Sequence, residues 1–100
     1  MKGYDEYAGF TDYANFTVEI HVTEQRGRLF FGTIVFSPKG GNVTSTGIAG
    51  AISDDGKTFS IVEKEWGYST GRIIARDEIE ITYLNDHTPY SVAIDSFTRV

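Results

Sequence analysis

Hydrophobic and polar positions alternate with a period of two along most of the chain. Phe16, Val18, Ile20 and Val22 are interleaved with Thr17, Glu19, His21 and Thr23, the pattern of an antiparallel strand with one face packed and one face wet. Glu24-Gln25-Arg26-Gly27 then reads as a turn closed by glycine. Residues 28–36 are apolar on both faces, with Leu29, Phe31 and Val35 on one and Phe30 and Ile34 on the other. Such a strand is expected to be covered on both sides, its outer side by the N-terminal segment or by another subunit. After the polar break Ser37–Asn42, further strands are expected over 44–52, 57–63, 68–74, 78–84 and 90–100. Ser53-Asp54-Asp55-Gly56 is a strong hairpin signal. Lys64-Glu65-Trp66-Gly67 is a second turn, and Asn85–Pro89 separates the last two strands. Short strands at this spacing, joined by hairpin-length links, predict an all-β fold: an antiparallel up-and-down barrel of roughly seven to eight strands.

Residues 1–14 break the pattern. Tyr4, Tyr7, Phe10 and Tyr13 recur every third residue among acidic neighbours. This predicts either a short helix or 3₁₀ turn capping one end of the barrel, or a loosely packed lead-in. The chain is thus read as a single domain, 1–100, with a strand meander over 15–100. The triplets Gly32-Thr33-Ile34, Gly50-Ala51-Ile52 and Gly71-Arg72-Ile73 form a weak repeat. They are expected on alternate strands, where glycine relieves crowding between bent neighbours.

Composition narrows the function more than it names it. The 100 residues carry a formal net charge of -5, and their basic side chains are scattered, so nucleic-acid binding is not expected. An anionic membrane surface is disfavoured for the same reason. No segment approaches the ~18 apolar residues of a membrane span. The N-terminus lacks the apolar core of a secretory leader. Cysteine is absent, which removes disulfides and thiol chemistry and leans towards a reducing, cytoplasmic setting.

An eight-stranded barrel has an interior that side chains fill or that holds one small ligand. Aromatic residues are plentiful, Phe 7, Tyr 6 and Trp 1, and suit either outcome. Tyr83 and Tyr90 flank one hairpin near a rim, and Trp66 and Tyr68 flank another. Phe59, Ile61 and Glu63 share a face, so Glu63 points inward at the barrel end, as a ligand anchor or a base of raised pKa. The competing reading makes Glu63 a rim residue paired with Arg72 or Arg99. Asp95 lies opposite Val92 and Ile94, which predicts a solvent environment. His21 and His87 are far apart and lack an acidic cluster, so no metal site is expected. No nucleophile or phosphate-binding motif is present. Asp54-Asp55-Gly56 is a fragment of a calcium loop without the remaining ligands. Asn15-Phe16-Thr17 and Asn42-Val43-Thr44 match the glycosylation acceptor, as chance readily produces.

Gln25-x-Gly27-x-x-Phe30-x-Gly32 opens a series that continues through residues 45–83 as Gly-x-Ile, Asp-Asp-Gly, Phe-x-Ile-Val-Glu, Gly-x-Ile and Ile-x-Tyr. Together with the aromatic N-terminal segment, it resembles the calycin-type barrels, the group of lipocalins and avidin-like proteins, and is similar to small uncharacterised microbial proteins of this type. The likeness spans residues 16–99 as pattern. It departs from lipocalins, which begin the barrel with Gly-x-Trp, whereas here the one Trp is Trp66 in a turn. It departs from avidins, which hold biotin with several Trp side chains. The resemblance implies the fold and a capacity for ligand binding, with no particular ligand.

The expectation is therefore non-catalytic binding of a small, partly apolar molecule, without a cofactor. Phe59, Ile61, Glu63, Trp66, Tyr68, Tyr83 and Tyr90 are the candidate contacts. The rival is a filled-core interaction module acting through its outer surface as a homodimer or higher oligomer. An enzyme using Glu63 as base is third.

Overall fold

A computed structural model describes residues 1–12 and 16–98. Every element in it is a strand: β1 Lys2–Asp5, β2 Gly9–Asp12, β3 Phe16–Arg26, β4 Leu29–Pro38, β5 Thr44–Ile52, β6 Thr58–Glu63, β7 Gly67–Ala75, β8 Glu78–Asn85 and β9 Ser91–Thr98. They form one nine-stranded sheet in the order β2-β1-β9-β8-β7-β6-β5-β4-β3, antiparallel throughout and curled into a half-barrel. Nine strands replace the expected seven or eight. Among the described residues no helix is long and apolar enough to cross a membrane.

The two extra strands come from the N-terminal segment, which is neither a helical cap nor a loose lead-in. It forms a hairpin whose first strand pairs with β9, from Lys2↔Ile94 to Asp5↔Ser91. The Asp5 carboxylate accepts the Tyr7 and Ala8 amides at 2.7 and 3.0 Å, an Asx-type turn. Gly9 follows at φ 74. The apparent period of three was this turn: Tyr7 sits at its tip, while Tyr4 and Phe10 face each other across the hairpin, ring centroids 5.1 Å apart. Tyr13, Asn15 and Arg99 lie outside the described residues. The hairpin is therefore not the expected cover for the outer side of β4, where Leu29 and Phe31 are exposed on the single chain.

The pairings fix how the sheet curls. Eight antiparallel steps separate β2 from β3 in the strand order, so the two run in the same direction. Four peptide units from Asp12 to Phe16 span at most about 14 Å. The end of β2 and the start of β3, on opposite edges of the sheet, therefore lie within that distance of each other.

The repeated glycines act between neighbours. Gly32, Gly50 and Gly71 lie on β4, β5 and β7, so they do not mark alternate strands. Gly50 stands opposite Phe30, and the Phe30 ring occupies the space a Cβ would take; Phe59 does the same over Gly71. Gly32 admits the His21 backbone carbonyl beside the β3 bulge between Val22 and Glu24. These contacts permit the strong curvature. The buried apolar side chains among the described residues are Ile48, Ile61, Ile81 and Ala93. That is a thin floor on the concave side and leaves open space above it.

Candidate functional site

The open space is a cavity of about 340 Å³ inside the half-barrel. Its apolar wall is built by Phe16 and Val18 from β3, Ile34 and Phe36 from β4, Ile81 from β8 and Phe97 from β9. One end is polar, with Glu63, Ser69, Tyr83 and Trp66. Room exists because β7 brings only small residues, Gly67, Ser69 and Gly71, to the inner face there, and β9 brings the small Ser91 and Ala93 beside Asp95 and Phe97.

Strand parity places the polar end. Alternation along β6 turns Phe59, Ile61 and Glu63 inward, and the Lys64–Trp66 turn brings β7 back with Glu63 opposite Gly67. Gly67 has φ 131, and a Cβ there would sit 2.5 Å from the Leu84 carbonyl oxygen. Glu63 is only 6% exposed and Ser69 1%. The Ser69 hydroxyl donates to Glu63 Oε1 at 2.7 Å. The Tyr83 hydroxyl donates to the Trp66 backbone carbonyl. Burial raises the Glu63 carboxyl above its ordinary pKa, and the Ser69 hydrogen bond offsets part of that rise. Burial, reinforced by the Glu63 charge, pushes the Tyr83 phenol up to about 12.

This environment carries a pH signature. A carboxyl with a raised folded pKa binds its proton more tightly in the native state. Its favourable contribution is complete below the unfolded value of 4.5 and is lost as pH rises through the folded value. Ser69 and Tyr83 are the polar neighbours that face it. Glu63→Gln keeps an acceptor for Ser69 and removes the charge. Its melting point is expected to match that of the native protein at pH 4 and exceed it by a few degrees at pH 8. Equal melting points at both pH values would place the carboxylate in water.

Of the seven candidate contacts, Glu63, Trp66 and Tyr83 line the cavity together. Phe59 and Ile61 face inward but belong to the floor, one over Gly71 and the other buried. Tyr68 and Tyr90 are exposed, Tyr68 on the outer face of β7 opposite Val62 and Leu84. Glu63 does not pair with Arg72, which has the opposite parity on β7 and meets Glu80 at 3.3 Å outside. Asp95 corrects the expectation of solvent: Val92 and Ile94 are the exposed side of β9, and Asp95 lines the cavity 3.6 Å from the Met1 amino group. His21 lies 3.0 Å from Glu19 on the surface, and His87 lies in the exposed loop before β9. No group of three or more metal-ligating side chains occurs among the described residues.

Ser69, Phe16, Val18, Phe36 and Phe97 were not singled out from the sequence. The usable signal was the small inward face Gly67-x-Ser69-x-Gly71, which marks where the barrel lacks filling. Comparison with protein-family models, curated proteins and solved structures finds no match to this chain.

Proposed function

We propose that the protein binds a small, partly apolar molecule in its half-barrel without acting on it chemically, in the manner of calycin-type barrels. The cavity itself carries this reading. Its volume of about 340 Å³ falls at the lower end of small-molecule pockets, ~300–1,000 Å³. Its wall is mostly apolar, and Glu63, Ser69 and Tyr83 gather at one end, apart from the Asp95–Met1 pair, an arrangement suited to fixing an orientation. A core of only four buried apolar side chains among the described residues argues against a filled interior. A chain without cysteine suits a reducing compartment, and the cytoplasm is the location this reading assigns.

The test is titration with a neutral, polarity-sensitive naphthyl ketone. A blue-shifted, saturable, one-to-one signal is expected. Val18→Phe should weaken it about tenfold, equivalent to ~1.4 kcal/mol, while leaving the circular dichroism unchanged. A probe that does not saturate, or that ignores Val18→Phe, would remove the cavity from consideration.

A second reading rests on a separate observation. Phe10, Tyr4, Val92, Leu84, Tyr68, Val62, Ala49 and Phe31 stand in one continuous cross-strand row on the convex face. Phe10 is 91% exposed and Val62 61%. Such a row supports an interaction surface, a homodimer or higher oligomer included. Sedimentation of the native protein and of Val62→Asp separates this from the first reading: a native oligomer that the substitution dissociates favours it, and a native monomer removes it.

A further inference from the structure

We propose that the cavity selects an organic ammonium ion, a primary amine on a small aromatic or aliphatic body, with its charged head seated between Glu63, Ser69 and Tyr83. The inference rests on the cavity-binding reading and adds the chemical class of the ligand.

The hydrogen-bond inventory of the polar end leads to this class. The Tyr83 hydroxyl gives its only hydrogen to the Trp66 carbonyl, which cannot donate in return. The Tyr83 oxygen is left as an acceptor. With Glu63 ionised, Ser69 gives its hydrogen to Glu63 Oε1, and its oxygen too is left as an acceptor. Glu63 Oε2 makes no hydrogen bond to a described residue, and since no buried side-chain oxygen among them lacks a partner, this oxygen is the one that opens onto the cavity. Three oxygens thus share one end of the cavity with no free donor among them, the Trp66 indole N–H being the remaining side-chain donor of that end. An ammonium group brings three donors and no acceptor, the complementary set. A carboxylate would bring only acceptors, and an alcohol a single donor.

Charge points the same way. No Lys, Arg or His side chain lines the cavity among the described residues. Asp95 has the Met1 amino group 3.6 Å away, but it lies on β9, three strands from β6 in the sheet order. Glu63 has no cationic partner in the described chain. A carboxylate in an apolar enclosure attracts a cation more strongly than it would in water. The rings of Phe16, Phe36, Trp66 and Phe97 along the cavity suit an apolar body and add attraction for a cation at their faces.

Three probes of one shape test the proposal: 2-phenylethylamine, 2-phenylethanol and 3-phenylpropionate. Each is titrated at pH 7.5 by calorimetry, with Trp66 fluorescence as a second signal. The amine is expected to bind about tenfold or more tightly than the alcohol, the scale of a charge-assisted hydrogen bond, and the carboxylate most weakly. Glu63→Gln should bring amine and alcohol within about twofold of each other. Equal binding of amine and alcohol, or a preference for the carboxylate, would overturn the ammonium proposal and leave the cavity reading intact. An amine preference that survives in Glu63→Gln overturns it equally. If none of the three binds and the naphthyl ketone also fails, the cavity reading falls and the proposal with it. Should Glu63→Gln not fold, the ranking of the three probes on the native protein decides.

Discussion

Gly32→Ala is expected to lower the unfolding midpoint by about 12 °C or more, through a loss of about 3 kcal/mol. The methyl group would fall on the His21 backbone carbonyl, at the bulge where β3 crosses close over β4. Both colliding groups are tied to main chain in paired strands. No side-chain rotation relieves the clash, and one of the two strands must move. Gly47→Ala is the internal control. Gly47 lies on β5 with nothing within 4 Å of its Cβ position, so its replacement is expected to be neutral or to stabilise by a few tenths of a kcal/mol, roughly, through the unfolded chain. Thermal melts of the two variants decide the matter. Similar midpoints would mean that β3 and β4 do not approach as closely as the fold requires.

Ile61→Ala is expected to cost about 3 kcal/mol, the usual scale for truncating a buried isoleucine. Against a total of ~5–15 kcal/mol for a domain, that is a large share. Ile61 is 4% exposed, yet its lateral partners are Gly50 and Ser69, which offer little apolar surface. Its burial comes from the curl of the sheet, so this variant tests curvature as well as packing. Val62, the next residue, faces out at 61% exposure, and Val62→Ala should stay within about 0.5 kcal/mol. Urea titrations of the pair measure the contrast. Comparable losses for both would indicate a flat sheet with two equivalent faces.

Alternation made much of this fold legible. The 16–23 pattern and the Phe59, Ile61, Glu63 series set the inward faces of β3 and β6, and with them the buried position of Glu63. Ser53–Gly56 forms the expected hairpin: the Asp55 carboxylate accepts the Ser53 hydroxyl at 2.6 Å and the Lys57 amide at 3.0 Å, and Gly56 takes φ 72. The errors arose where local pattern is silent about pairing. On β9 both faces carry apolar residues, and what turns Ala93 and Asp95 inward is the register with Gly3 on one side and Tyr83 on the other. That register joins residues some ninety positions apart in one ladder and ten in the next, and no period within 91–98 encodes it. The N-terminal hairpin was hidden because its aromatic spacing reflects a turn. Ser69 was overlooked because a small residue contributes space, and hydrophobic patterns record only what fills it.

The parallel course of β2 and β3 gives the wall a mechanical character. A single length of chain leaves one margin of the sheet and enters the other, so the barrel is drawn round like a hoop whose ends are joined by the peptide itself. Severing the chain between Asp12 and Phe16 would turn the hoop into a clasp. The first hairpin would then hold on through its ladder of four residue pairs to β9, the Glu6–Tyr90 hydrogen bonds and the Met1–Asp95 pair, and the chamber behind it would open along that line.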